Sequence, residues 1–438
     1  MSEHFRCIIV GGGPMGLITA HALTAAGMDW VLLEREDDIV VQDTPCVVMY
    51  PDTLRVMDQL GLVDRLFRIK TTVDRTQTLT HDGASYNTTY PHDWSMENHG
   101  RGNWYFHQPQ LVSVLYEALS ESDRARVKTC KEVTDIEAES ETIIVHCSDG
   151  TVEEGSLVIG ADGGHSIVRD MMRINALAED PKAAVNATLP FAASYRVLWG
   201  TIPMAENMKS NEAWECHGKG YSSQMFFGRG RGWFFVYEKL KKPTRGLRNY
   251  TEKDMYSCAA RLANLPMTNK LRLRDVYAVS HGCGMADLGE GLVRRFAWGR
   301  TVLIGEAGNK QTSHLGLGLN SGVQDIVALT NTLSKLVQHH GERHELVETE
   351  AIHLALRKYD AIRRGDALHG SRTSARAARL HSWNGRALRL YDRYFLPAGG
   401  SSKKNYDGTI GAIVSHGMLL DSLPETDPQH GRMPWLHL

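Results

Sequence analysis

The stretch from Phe5 to Gly16, FRCIIVGGGPMG, constrains the fold more than any other part of the chain. An apolar run ends at Val10 on three glycines, and small and apolar residues follow from Pro14 to Gly27. A run buried on both faces reads as a parallel strand, the glycines as a tight turn, and the next segment as a helix. Trp30 to Leu33 is a second strand, closed by Glu34. This β-α-β unit carries Gly11-x-Gly13-x-x-Gly16 in the context that makes the pattern a dinucleotide fingerprint. Gly11 permits the turn, Gly13 lets the backbone approach a pyrophosphate, and Gly16 lets helix and strand pack closely. Backbone N–H groups and the helix dipole receive the phosphates. Glu34, with Arg35 beside it, stands where a ribose diol would bind. A purely structural glycine turn is the alternative.

Composition narrows the partners. Lys and Arg number 49 against 51 Asp and Glu, a net charge of −2, so there is no basic field to recruit nucleic acid or an anionic membrane. Seven cysteines lie scattered with no CxxC pair, which indicates neither a disulfide framework nor a cysteine zinc site. No signal peptide and no apolar run long enough for a membrane helix is evident, so a cytoplasmic, reducing location is expected.

At 438 residues the chain has room for two or three domains. Tyr50 to Leu66 has helical periodicity with Gly61 as a stop, and Leu111 to Leu119 is a further helix. Residues 71–102, rich in Thr, His, Asn and Gly, read as an excursion from the first sheet. Thr142 to His146 and Leu157 to Ile159 are strands. From Phe191 to Val279 short aromatic and β-branched runs alternate with glycine turns, among them Tyr195 to Trp199, Gln224 to Phe227 and Trp233 to Tyr237. That pattern predicts a mainly antiparallel unit. Thr301 to Ile304 restores a strand of the first type, and a long helix follows to Val337. Glu348 to Leu380 is helical, and the tail from Pro397 shows little periodicity. The expected division is 1–75, 100–180 and 285–340 for the dinucleotide unit, 76–99 and 181–284 for the β-rich unit, and 341–438 for a helical segment and tail.

Two further turns follow strands of the first sheet. Gly160-Ala161-Asp162-Gly163-Gly164-His165 precedes a helix, and Asp162 could simply cap it. Gly305-Glu306-Ala307-Gly308 runs on to Gly316-Leu317-Gly318-Leu319-Asn320, a glycine-rich turn feeding a helix N-terminus that could stabilise an anionic ring system. His340 and His344 have helical spacing, but their neighbours are polar, and a solvated surface rather than a metal site is expected.

The three elements in this order resemble the group A flavoprotein monooxygenases, which share the para-hydroxybenzoate hydroxylase fold. The resemblance covers nearly the whole chain. It implies an α/β protein with a Rossmann-type FAD-binding domain, an inserted β substrate domain and a helical C-terminal part. It also implies that Glu34 binds the adenosine ribose, that Asp162 and Gly163 contribute FAD and nicotinamide contacts, and that Glu306 touches the ribityl chain. Gln108, in Phe106-His107-Gln108-Pro109, matches a segment that reaches FAD, and Gly316, Gly318 and Asn320 match the loop facing the flavin. Within the family, Trp233 to Leu240 and Asn249 to Asp254 look most like fungal enzymes of terpenoid and polyketide metabolism. Departures are Gly305-Glu306-Ala307-Gly308-Asn309 for the usual Gly-Asp-Ala-Ala-His, and Thr312 and Ser313 where prolines are usual.

In such relatives NAD(P)H reduces FAD, O2 adds at C4a, and the hydroperoxide passes one oxygen to an electron-rich ring or alkene. Met225, Phe227 and Phe235 fall where benzoate hydroxylases place polar anchors, which suggests an apolar small-molecule substrate unless these are ordinary core residues. Arg196, Tyr221 and Tyr237 are candidates to orient it, though strand alternation could turn each outward. His314 could act as a base or be a loop histidine. The chain is expected to work as a monomer or homodimer. Competing readings are a flavoenzyme that does not oxygenate (a dehydrogenase, isomerase or cyclase) and a non-enzymatic FAD-fold binding protein like the prenyl-GTPase dissociation inhibitors.

Overall fold

The computed structural model describes residues 5–41, 46–139, 141–204, 208–246, 248–341, 347–425 and 430–437. Arg6–Val10, the apolar run before the glycines, is the centre of a six-stranded sheet. Its neighbours are Leu157–Gly160 and Asp29–Leu33, both parallel, with Cys7 opposite Leu157 on one side and Trp30 on the other. Thr301–Leu303 and Val127–Lys128 extend the parallel order, and Ala297–Trp298 closes one edge antiparallel. Ile8, Ile9, Leu32 and Ile159 are fully buried, because helices cover both faces. The helix Pro14–Ala25 starts directly from the glycines with Pro14 in its first turn, where a missing N–H costs nothing.

A second sheet of eight strands runs in the order Asn309–Lys310, His281–Leu292, Ala192–Pro203, Arg231–Arg245, Tyr221–Phe227, Glu212–Gly218, Arg75–Thr80, Ser85–Thr89. All neighbours are antiparallel except Glu212–Gly218 with Arg75–Thr80. The excursion over 71–102 therefore supplies two strands to this sheet and then the helix Pro91–His99. The expected unit boundary at 284/285 falls inside the continuous strand His281–Leu292, whose end pairs with Asn309–Lys310.

The periodic stretch over 50–66 stops at Gly61, as expected, where φ is +69°, and resumes as a second helix: the two are Pro51–Gln59 and Val63–Ile69. The tail from Pro397 is ordered: Ser401–Tyr406 and Ala412–Ser415 are helical, and Tyr406, Ile410 and Val414 pack with Tyr50 and Leu317. Its apolar residues find a partner surface that periodicity does not reveal. The helices Leu317–Gly341 and Thr349–His381 lie where the pattern puts them. Among the described residues no helix is long and apolar enough to cross a membrane, and all seven cysteines are free.

Candidate active site

The three glycine turns converge on one cleft of about 800 Å³. Gly11, at φ +106°, backs onto Ala161, whose carbonyl oxygen would lie 2.7 Å from an added Cβ. At Gly16 an added Cβ would lie 1.9 Å from the Gly11 carbonyl, so this glycine serves the packing of helix on turn and does not line the cleft. Gly13 is different: nothing lies within 4 Å of its Cβ position, and the helix that follows has no side-chain cap. Uncapped first-turn N–H groups facing open space make an anion site. Oε2 of Glu34 accepts from Gly12 N at 2.6 Å and Oε1 from Glu36 N at 3.0 Å, which fixes the carboxylate at the rim.

Arg35, Gln108, Asp162, Gly163, Glu306 and Gly318 also line this cleft. Oδ2 of Asp162 accepts from Val168 N at 3.1 Å, while Oδ1 is out of solvent without a partner. Burial raises the Asp162 pKa. Ser166 Oγ accepts from Arg169 N, so Ser166 and one Asp162 oxygen together cap the first turn of the following helix. Glu306 is half exposed, 3.9 Å from Nζ of Lys310. Gly316 and Asn320 stand behind the wall. Asn320 donates to Val48 O and Gly316 O and accepts from Tyr50 N, so its amide is spent on backbone. Thr312, in place of a proline, holds φ −67°, a value proline itself would impose.

Behind that loop lies a ladder of rings on one face of the eight-stranded sheet. Tyr105 meets Phe226 at 5.4 Å between centroids, Phe226 meets Phe235 at 6.1 Å, Phe235 meets Tyr237 at 6.3 Å, and Tyr237 stacks on His314 at 3.8 Å. Both ring nitrogens of His314 are buried without a partner, and burial holds its pKa well below the usual imidazole range. His314 is therefore neutral and a weak base. The Tyr237 hydroxyl donates to Gln224 Oε1 at 2.9 Å, and Gln224 Nε2 donates to Glu215 Oε1 at 2.7 Å and to His314 O at 3.0 Å. The orientation is forced. A carboxylate only accepts, so the amide nitrogen must face Glu215 and its oxygen must face Tyr237.

The network continues through His217, whose Nδ1 lies 2.9 Å from Asp392 Oδ2. Burial opposes a charge on His217, but Asp392 and Glu215 outweigh it and raise the pKa to about 9. Burial and His217 push His381, stacked on it at 4.1 Å, down to about 4. Sequence reasoning missed Gln224, Glu215, His217, His381 and Asp392 as a group. The alternation within Glu212–Gly218, which turns Glu215 and His217 to one face, was the available signal.

Arg196 does not join this cluster. It projects from the opposite sheet face and pairs with Glu238 at 2.6 Å, and Arg261 pairs with the same carboxylate. The one-residue offset from Tyr195, which packs with Tyr237, decides this. For the same reason Met225 and Phe227, with Tyr221, belong to the far-side core, whereas Phe235 and Phe226 face the ladder. Nδ1 of His340 donates to Leu336 O at 3.0 Å, and His344 lies outside the described residues. A larger hollow of about 1380 Å³ lies between the two long helices, residues 418–425, Leu436 and His437, but no glycine turn reaches it.

The cleft suits FAD: an open helix N-terminus for the pyrophosphate, a rim carboxylate for the ribose, and an unpartnered Asp162 oxygen. Comparisons agree. The FAD binding domain family model matches residues 4–352. The FAD-dependent monooxygenase dpchE of Colletotrichum higginsianum is 30% identical over 97% of this chain and 90% of its own length. The FAD-dependent monooxygenase pyr5 of Aspergillus fumigatus is 29% identical, covering 95% and 90%. Among solved structures, HpxO of Klebsiella pneumoniae complexed with FAD and uric acid superposes with TM-score 0.74 at 19% identity, covering 96% of this chain and 97% of its own. A salicylate hydroxylase substrate complex gives 0.67 at 17% identity, covering 94% and 97%. With a family match over most of its length and a relative of that similarity along nearly all of it, the chain belongs to the FAD-binding-domain family of FAD-dependent monooxygenases.

Proposed function

We propose that this chain is an NAD(P)H-using monooxygenase that transfers one atom of O2 to an apolar aromatic, polyketide or terpenoid-type molecule by hydroxylation or epoxidation. FAD, when bound, accepts the hydride and activates O2; the protein supplies orientation and a dry surround. On this reading Gly13 and the helix it starts hold the pyrophosphate, Glu34 and Arg35 the adenosine ribose, and Gln108, Asp162, Gly163, Glu306 and Gly318 the rest of the cofactor. The strands over 192–245 serve as the substrate sheet.

The observation that carries the reading is the ring ladder from Tyr105 to His314, an apolar aromatic wall with few polar groups. Such a wall selects by shape and stacking, and its polar end fixes orientation. Tyr237 gives its proton to Gln224 and accepts a long hydrogen bond of 3.4 Å from Ser313 Oγ, so its oxygen meets a substrate hydroxyl or N–H only as an acceptor, in exchange for or beside that contact. His314, neutral and unpartnered, can take up a second hydrogen bond from the same molecule.

The test is turnover of FAD-loaded protein with NADPH or NADH, labelled O2 and a panel of prenylated phenols, polyketides and polyene terpenoids. Substrate-dependent nicotinamide oxidation and a product with one labelled oxygen are expected. Conversion without O2 uptake or nicotinamide oxidation would replace the reading with a non-oxygenating flavoenzyme. Glu306 favours that second reading, being longer than the usual aspartate at the cleft; the proline-like φ of Thr312 weighs against it.

A further inference from the structure

Glu215, His217 and His381 each offer one ligand atom, all within 4.8 Å of one another, behind the Tyr237–His314 stack. None of the three lines the glycine-turn cleft. His217 is 4% exposed, and its Nε2 has no hydrogen-bond partner. Nδ1 of His381 is likewise out of solvent and unpartnered. Leaving two such nitrogens unsatisfied in the interior is costly.

The distance between His217 Nε2 and Glu215 Oε2 is 3.6 Å. That is beyond the range of an ordinary hydrogen bond. It is close to the edge of a coordination tetrahedron, ~3.4 Å for arms of ~2.1 Å, the usual length of zinc bonds to imidazole and carboxylate. The surroundings are those of a supported ligand set. Asp392 holds Nδ1 of His217 at 2.9 Å and is itself held by Trp383 Nε1 at 2.7 Å and the Tyr86 hydroxyl at 2.5 Å. Gln224 holds the other oxygen of Glu215 at 2.7 Å. A carboxylate behind a ligating imidazole fixes its tautomer and aim.

We propose that Glu215, His217 and His381 form a site for one divalent transition-metal ion, zinc by donor type. Two imidazoles and one carboxylate favour such an ion over magnesium or calcium, which prefer oxygen alone. Binding requires His381 to rotate out of its stack on His217, drawing its nitrogen inward by up to about 1.4 Å, from the 4.8 Å limit to the ~3.4 Å edge of a tetrahedron. Any proton on His217 Nε2 leaves to solvent as the metal enters. The bound ion then fixes Glu215, and through Gln224 the hydroxyl of Tyr237. This site does not depend on whether the chain oxygenates its substrate.

The experiment uses the FAD-loaded full chain, dialysed against zinc and then freed of loose metal, with metal measured by mass spectrometry. About one zinc per chain is expected, falling about tenfold or more in His381→Gln and in Glu215→Gln, and unchanged in the surface variant His340→Gln. Far-ultraviolet circular dichroism and the flavin spectrum report whether the variants fold. Should they not fold, cobalt loaded into the wild-type chain decides, since a tetrahedral nitrogen–oxygen site gives a visible absorption beyond the flavin bands. No saturable zinc, zinc retained in the triad variants, or cobalt without that absorption each overturns the proposal.

Discussion

Nε of Arg363 lies 2.8 Å from Oδ1 of Asp325, and neither side chain reaches solvent, at 3% and 0% exposed. The other Asp325 oxygen accepts from Gly305 N at 3.0 Å, and Arg363 also donates to Ser321 O. One ion pair thus ties the third glycine turn to both long helices. Replacing Arg363 by Met should cost about 3–5 kcal/mol, because it strands a buried carboxylate. Urea unfolding checks the stability, and flavin retention on dialysis should fall with it. A loss below about 1 kcal/mol, the scale of a surface pair, would mean that the pair is not anchoring this turn.

Gly13 and Gly16 separate cofactor binding from folding. Gly13→Ala adds a methyl to open space at the helix start and should leave the flavin-free chain about as stable while weakening FAD binding. Gly16→Ala drives a methyl against the Gly11 carbonyl and should lower the stability of the flavin-free chain itself. Thermal melts without FAD and fluorescence titration with FAD distinguish them. Equal effects of both variants on both readouts would contradict the placement.

Burial raises the Asp52 carboxyl from 3.8 to about 7, and its Oδ1 has no partner. With the folded-state pKa above the unfolded one, its contribution is fully present below about pH 4 and is lost as pH rises toward 7. Asp52→Asn keeps the shape and removes the titration. Its unfolding free energy should match that of the wild type near pH 4 and exceed it at pH 8 by about a few kcal/mol, with the melting temperature moving in the same direction. Parallel melting curves across that range would dismiss the effect.

Tyr237→Phe removes the proton that Gln224 Oε1 accepts in a buried setting. A loss of about 1–3 kcal/mol in unfolding free energy is expected from the orphaned carbonyl. Turnover of any substrate found should fall as well. Arg196→Met, on the far face, should spare turnover and change only stability. The reverse ranking in a steady-state assay would return Arg196 to the site.

The glycine turns were legible because each is local: a strand, a short run of glycines and a helix start sit within a few residues. The central, parallel placement of Arg6–Val10 between Leu157–Gly160 and Asp29–Leu33 follows from their continuous apolar character. What alternation alone could not give was the phase of each strand in the second sheet. Strands buried on both faces carry apolar residues at every position, as in Gln224-Met225-Phe226-Phe227, so the pattern does not say which side meets the loop. The facing of Arg196 and Met225 stayed open for that reason, and packing turns both away from the loop. The group around His217 was invisible for another, since its members come from distant parts of the chain and only tertiary packing brings them together.

The hydrogen bond between Tyr86 and Asp392 spans 306 positions of sequence. Every residue proposed to hold the cofactor lies before position 320, but Gly305 N is held by Asp325, and Asp325 by Arg363 in the helix Thr349–His381. The polar floor under Tyr237 reaches further still, to Asp392. Neither the flavin cleft nor the substrate face is complete on an unfinished chain, so cofactor loading should wait until the C-terminal helices have left the ribosome.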